Sequence, residues 1–565
     1  MPLQKYGKLQ TGVPDSLEFG FFGFSGGLNL KAAPQLVADN ELTIATNGYL
    51  RPDGGFQMRN GMQPYNASVT AGTHPLFIQR YFQLVAGAAQ VSNQFLLGVF
   101  NGSLYSIGAT GAPTNLGSVG GSTVQTVSWV RFSDPSCTGN GTTSTTQSYY
   151  AGLTDVIVIC TGVGGPYIFD GRNLYTPAGW ASVVNASWCA WVNGVLWFGG
   201  VPLIPNNIFG TGTGPQGDQI SYETLSATRE FNMSNPVTGL CAQGSGATAT
   251  LVIALNKGIS VLYGTGYSTF YLQDIPFQDG IVSGMSMVSY DGVVFFLGHL
   301  GYYSFDGQTN PQIISTKIEP WILNDEFVPG FPLNQNWNLT WACVYNNRLH
   351  LGYCSSSSTP NVILCYDLRL QAWTVLQTTP GIASMCLLDA PTDPDPYVAY
   401  VGSSTSGQVY QWDYVSGTTT AIAYDGTVAS PVLATVQSKY FKIGVPGTNK
   451  AIERFYPDFM ISGPFKVNIT LSFNYGQSSN QTITTAPTGL TTGSVGEWDV
   501  TLWDQSSWGG AVQLVNFGPP YTRIDYAGIQ AEAYAFGVMM NGMLGGSSPW
   551  IWVGGSGVFN QQGRT

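Results

Sequence analysis

Charge is what this sequence has least of. Only 9% of its 565 residues are Asp, Glu, Lys or Arg, against roughly 25% in an ordinary globular domain. A free cytosolic enzyme relies on surface charge for solubility, so this composition suits a chain whose surface is largely covered in a permanent assembly. The balance is acidic, with 20 basic and 31 acidic residues and a net charge of −11. A protein that reads nucleic-acid sequence needs clustered Lys and Arg, and this chain is the opposite. An acidic wall can still line a passage through which DNA slides without adhering, because phosphates are repelled. Composition leaves open both that passage and no contact with DNA at all.

Histidine is nearly missing. His74, His299 and His350 are the whole set. None has a second His or a Cys at metal-ligand spacing, so no metal site is expected. His299 and His350 read as half-buried strand histidines at corresponding places in two repeats. The 8 cysteines form no C-x-x-C pair and sit in apolar contexts such as VIVICTG. They read as buried reduced thiols rather than disulfides. Phosphate-loop, nucleophile-elbow and H-E-x-x-H signatures are absent, so no cofactor is expected and no catalytic residue is assigned. No run of 18 uncharged apolar residues occurs, so no transmembrane helix is expected. The N-terminus lacks the apolar region of a secretory signal.

Aromatic residues (13%) and 72 glycines take the place of charge. Their arrangement is clearest in Tyr290 to Ile314, YDGVVFFLGHLGYYSFDGQTNPQII. Asp-Gly between apolar runs is a strong hairpin signal, because both residues tolerate the positive φ of a tight turn. Related units follow Asn101-Gly102, Asn193-Gly194 and Asn346-Asn347. The gaps of 92 residues (101 to 193) and 98 residues (193 to 291), at two units each, give a period of roughly 46–49 residues, in the range of four-stranded propeller blades.

The fold class is therefore all-β: a β-propeller of about six blades over 76–420 and a C-terminal β-sandwich-like domain with a flexible tail over 421–565. Residues 1–75 read as a mostly irregular arm, packed on the body or reaching a neighbouring subunit. One further stretch, YVAYVGSSTSGQVYQWD, either completes the last blade or closes the ring with an early strand. The C-terminal region carries longer alternating runs, such as KYFKIG and FKVNITLSFNYG.

Two constellations stand out as candidate sites. Lys439, Lys442, Lys450 and Arg454 form the densest basic patch, a candidate interface or channel surface whose plain alternative is a solvated strand face. Trp498, Trp503 and Trp508, at five-residue spacing beside Glu497, Asp499 and Asp504, are a candidate glycan platform whose plain alternative is core aromatics. They underlie a second reading, a carbohydrate-binding or carbohydrate-cleaving propeller acting in host receptor recognition. A cleaving enzyme would need two suitably spaced carboxylates.

Two groups of residues carry a family resemblance. The first is Gly26-Gly27-Leu28-Asn29, Asn40-Glu41, Asn47-Gly48, Gly54-Gly55 and Arg59-Asn60-Gly61. The second is the unit at Tyr290 with AWT and GQVYQWD leading into YFKIG. Together they resemble the propeller-bearing tail nozzle proteins of short-tailed bacteriophages, of the tail tubular protein B and packaged-DNA-stabilisation type. The resemblance implies a non-enzymatic virion protein, made in the host cytoplasm and assembled as a homo-oligomeric ring, a hexamer. The ring would contact portal-proximal adaptor proteins and tail fibre or tip proteins. Its channel would retain double-stranded DNA and pass it during ejection, without sequence-specific binding.

Overall fold

The structure is a computed structural model. It describes residues 16–66, 78–84, 91–108, 112–122, 124, 126–134, 154–169, 174–212, 222–264, 269–323, 336–355, 359–387, 398–414, 425, 432–442, 450–460, 467–473, 481–485, 513–516, 521–533, 536–543 and 550–561.

The tight turns form where the sequence places them. Asn193, Asp291 and Asn346 adopt φ of 52°, 49° and 51°, and the residues after them are also left-handed. The flanking residues pair directly, Val192 with Val195, Tyr290 with Val293 and Tyr345 with Arg348. These are two-residue hairpins whose twist matches that of the strands. Each joins the first two strands of an antiparallel blade. Asn101-Gly102 makes the same turn but joins the second and third strands of its sheet.

The fold is a β-propeller, and the described residues form seven blades where the sequence suggested about six. The blades span 78–118, 128–175, 188–232, 237–275, 288–313, 341–377 and 382–414. The stretch ending in GQVYQWD supplies two strands of the seventh blade, Ala399–Ser403 and Val409–Tyr414, and Ile382–Leu387 before it supplies a third. An early strand, Gly61–Pro64, supplies the fourth by pairing with Val409–Tyr414. The shortfall in the count has a physical cause: the seventh blade is incomplete in its own stretch of sequence.

Each strand inside the ring has two buried faces. In Thr250–Leu255, residues Leu251, Ile253 and Leu255 pack toward the third blade. Val252 and Ala254 pack toward the fifth. Successive side chains point to opposite sides of a strand, so one run feeds two seams. Every pair of neighbouring blades shares such a cluster, including the first and the seventh. The fifth–sixth seam merges with the core described next.

Residues 16–64, expected to be mostly irregular, hold six strands: β1 Ser16–Phe22, β2 Gly27–Leu28, β3 Glu41–Thr46, β4 Gly48–Leu50, β5 Phe56–Met58 and β6 Gly61–Pro64. They are short and broken by glycine; β2 pairs with β3 and β4 with β5, while β1, β3, β5 and β6 also pair with strands hundreds of residues away. β3 bridges the outer strand of the sixth blade, in parallel at Thr46 and Val375, and pairs antiparallel with Leu433–Ser438. The sixth blade thereby runs on into a ten-stranded sheet. A second, seven-stranded sheet contains β1, β4 and β5 with the C-terminal strands Lys450–Met460, Tyr521–Ala533 and Ile551–Gln561. Phe24, Leu42, Phe56, Trp373, Ala434, Trp550 and Trp552 belong to one core shared by the two parts.

Blade contact is close enough to make single atoms matter. Gly352 faces Trp341, and a Cβ there would sit 2.0 Å from the indole Nε1. That Nε1 donates to the Ile382 carbonyl at 2.9 Å, from the sixth blade to the seventh. Gly352→Ala is expected to cost about 1–3 kcal/mol by overpacking. A urea titration checks this through the midpoint at constant slope, and an unchanged midpoint would mean the indole has room to move.

Candidate functional site at the propeller–sandwich junction

The glycine- and asparagine-rich motif of the N-terminal segment folds into the junction between the two parts. A Cβ on Gly26 would meet Glu41 Cγ at 2.6 Å, and one on Gly27 would meet Ala372 Cβ at 2.8 Å. Only glycine lets the backbone approach so closely. Asn29 Nδ2 donates to Glu41 Oε2 at 2.7 Å, and the Ala38 amide donates to the same oxygen at 3.1 Å. Lys317, from the loop between the fifth and sixth blades, pairs with Glu41 Oε1 at 2.9 Å and donates to the Gly26 carbonyl at 2.8 Å. Burial by itself would raise the Glu41 pKa. The bonds from Lys317, Asn29 and Ala38 outweigh it and hold the carboxylate below its usual range.

Arg59 is the centre of a second cluster. It is 1% exposed and pairs with Asp425, itself 6% exposed. Nη1 donates to Asp425 Oδ1 at 2.8 Å, and Nη2 bonds the other carboxylate oxygen. The remaining donors reach the carbonyl of Gln377 at the end of the sixth blade, the carbonyl of Asn60 and the side-chain oxygen of Asn47. The guanidinium also lies 5.5 Å from the ring centre of Trp412 in the seventh blade. One side chain thus joins the N-terminal segment, two blades and the chain leaving the propeller. Asn47 adds a bond from Nδ2 to the Leu433 carbonyl at 2.7 Å, into the sandwich.

Beside this cluster, Asp413 accepts the Asn60 amide at 3.2 Å. Burial pushes its carboxyl above the usual range, against the pull of that amide and of Arg59 and Arg348. Arg348 lies 4.4 Å over the Tyr49 ring and 3.4 Å from Asp367. His350 is buried among Tyr49, Tyr345 and Trp412. Burial, with the neighbouring Arg348 charge, lowers its pKa to about 3, so it is neutral.

The sequence-derived candidates fall as follows. Lys439 forms an ion pair with Asp39 in the N-terminal segment and lies 5.5 Å from the Phe441 ring centre. Lys442 is exposed. Lys450 and Arg454 lie in Lys450–Met460, in the middle of the seven-stranded sheet, whereas Lys439 follows a strand of the ten-stranded one. The four basic residues therefore do not share a sheet. Trp498, Trp503 and Trp508 lie outside the described residues. His299 and His350 do not correspond: His299 is exposed between two strands, and His350 is buried within one. The described cysteines are free, and burial pushes Cys241, Cys343, Cys354 and Cys365 up to about 12. Among the described residues, no three His, Cys, Asp or Glu side chains converge to hold a metal ion.

No family profile matches the chain, and no curated protein matches it. Among solved structures it is similar to BBS1N in its crystal structure with ARL6DN, at 9% identity, over 63% of this chain and 98% of that one, with a TM-score of 0.37. It is also similar to the Neurospora crassa Pan2 WD40 domain, at 10% identity, over 64% and 97% of the two chains, with a TM-score of 0.33. Kluyveromyces lactis Hsv2 aligns at 11% identity over 50% and 94%, with a TM-score of 0.26. Likeness at this level says nothing of activity or partners. The propeller rests on the strand pairing described above.

The charged groups of the junction engage one another across the two parts of the chain. Arg59→Met leaves Asp425 buried without its partner and is expected to cost about 3–5 kcal/mol. Adding Asp425→Leu should restore much of that, since an apolar pair can replace a buried ion pair. Denaturant titration of the two single variants and the double variant checks this, and equal losses in all three would refute the pairing. His350 gives a pH signature. Below pH 6.5 the unfolded chain takes up a proton that the native His350 refuses until about pH 3. Stability is therefore expected to fall as pH drops below 6.5, by at most about 1.4 kcal/mol per pH unit. Asp413, shifted upward, opposes this at lower pH. Comparing His350→Leu with the parent just below pH 6.5 isolates the effect, which the substitution should remove.

Proposed function

We propose that this chain is a structural subunit of a short-tailed bacteriophage tail, a nozzle-type component that retains packaged DNA and forms its exit conduit. The observation that supports this reading is the role of the motif that carries the family resemblance. Gly26, Gly27, Asn29, Glu41, Asn47 and Arg59 weld a propeller to a sandwich through one continuous core. A part that bears load while DNA passes needs such rigid fusion of its domains, and it needs no reactive group. The charge-poor, acidic composition agrees, since net −11 gives phosphate no general attraction.

In this reading the protein acts as a homo-oligomeric ring, a hexamer, in the virion. Its neighbours are portal-proximal adaptor proteins on one side and fibre or tip proteins on the other. Duplex DNA passes without being read. The test is genetic and physical. Phage particles assembled without this chain are expected to package DNA and then lose it, leaving a nuclease-sensitive genome. Antibody against the chain should label the tail of intact particles in electron micrographs. Particles that lack the chain yet keep a nuclease-resistant genome would overturn the reading.

A further inference from the structure

Glu41 holds a lysine and an asparagine side by side. Its Oε1 pairs with Lys317 Nζ at 2.9 Å, and its Oε2 accepts from Asn29 Nδ2 at 2.7 Å. An amine and a carboxamide thus rest on the two oxygens of one buried carboxylate. The Asn29 amide has one possible orientation. Its Oδ1 accepts the backbone amides of Lys31 and Ala32 at 3.2 and 3.1 Å, and its Nδ2 faces a carboxylate, which only accepts.

The backbones that carry these groups are locked together. The Leu30 and Lys31 amides donate to the Lys317 carbonyl at 2.8 and 3.3 Å, and the Asn29 amide donates to Leu42 at 2.9 Å. Lys317 Nζ is aimed by a second bond, to the Gly26 carbonyl at 2.8 Å. Lys317 and Asn29 therefore cannot drift apart without opening the junction.

Together these are the parts of an acyl-transfer site. Lys317 Nζ is a nucleophile and Asn29 Cγ an electrophile. Two backbone N–H groups already sit on Oδ1, where negative charge develops on attack, as in an oxyanion hole. Glu41 touches both the attacking and the leaving nitrogen, so it can take a proton from one and give it to the other. It is in the accepting form, because the bonds it receives outweigh the effect of burial. Holding both reactants on one residue makes their encounter unimolecular, and a turn of the Lys317 side chain brings Nζ to the roughly 3–3.5 Å from which attack proceeds.

We propose that Lys317 and Asn29 join in an intramolecular isopeptide bond, with Glu41 as the catalytic proton carrier. The Lys317 ammonium gives one proton to Glu41, and the freed lone pair forms the Nζ–Cγ bond. The carbonyl electrons move to Oδ1. Glu41 protonates Nδ2, the Cγ–Nδ2 bond breaks as the carbonyl reforms, and ammonia leaves. Nζ sheds its extra proton through Glu41 to that ammonia, so amine and carboxamide become a secondary amide and an ammonium ion. No electrons change hands. The bond closes a loop that contains the first five blades and makes permanent a contact that the ion pair makes reversibly. The inference does not rest on the phage reading.

Mass spectrometry of the purified full-length chain tests it. After prolonged incubation of the folded protein, the parent is expected to be lighter than its sequence by one ammonia. Trypsin should release a branched peptide joining residues 9–31 to 258–348, because an acylated Lys317 resists cleavage. This peptide separates the cross-link from ammonia lost at an Asn-Gly turn. Lys317→Arg keeps the positive charge beside Glu41 and should yield no branched peptide. Glu41→Gln keeps the side chain's shape and should slow cross-linking by roughly a hundredfold or more. A parent without the branched peptide, conversion of Asn29 to Asp in its place, or a Glu41→Gln variant that cross-links as fast as the parent would overturn the proposal. Genome retention by phage particles is a separate readout, so an absent cross-link would leave the functional reading standing.

Discussion

A blade of this ring has no free side. Its middle strands bury alternate residues against the blade before and the blade after, so each sheet is complete only between two neighbours. Val252 and Leu251, adjacent in sequence, serve different seams. Full burial of an aliphatic or aromatic side chain is worth roughly 1.5–3 kcal/mol, and an opened seam would forfeit several at once. The rest of the structure answers that demand for closure. β6 supplies the missing strand of the seventh blade, and the first and seventh blades then share a cluster around Leu96, Phe100 and Cys386.

Closure by a strand from the other end of the chain brings polar backbone and charged groups into the core, and these must be satisfied there. Arg59 and Asp425 do this as a bidentate pair, with Gln377, Asn60 and Asn47 accepting the remaining donors. Glu41 and Lys317 do the same at the edge of the fifth and sixth blades. Small seam bonds repeat the pattern. Gln243 Nε2 donates to the Gly292 carbonyl at 2.8 Å, and the Tyr263 hydroxyl to the Gly307 carbonyl at 2.7 Å, both from the fourth blade to the fifth. Turn glycines thus serve twice, adopting the positive φ of the turn and presenting a carbonyl acceptor to the neighbouring blade.

Local structure was legible in the sequence, and long-range pairing was not. Asn193-Gly194, Asp291-Gly292 and Asn346-Asn347 announce their hairpins because positive φ is a property of two adjacent residues. The 98-residue spacing from Asn193 to Asp291 spans two blades, from the third to the fifth. The seventh blade escaped counting because its last strand is four residues that belong to the N-terminal segment. β2, β4 and β5 are two or three residues long, too short for a periodic signal. Arg59 stood in a recognisable motif, but nothing around Asp425 marks it as a partner 366 residues away. Lys439 looked like a free cation for a neighbour, and its pairing with Asp39 depends on a fold that no local pattern encodes.

The use of Gly61–Pro64 to finish the ring has a consequence for biosynthesis. When this strand leaves the ribosome, none of its bonding partners has been translated. Tyr414, which pairs with Gly61, follows only after most of the polypeptide has been made, roughly 20–70 s later at ordinary elongation rates. Throughout that interval the nascent propeller is an open arc with one unpaired edge. The seventh blade gains its fourth strand only once Val409–Tyr414 has been made.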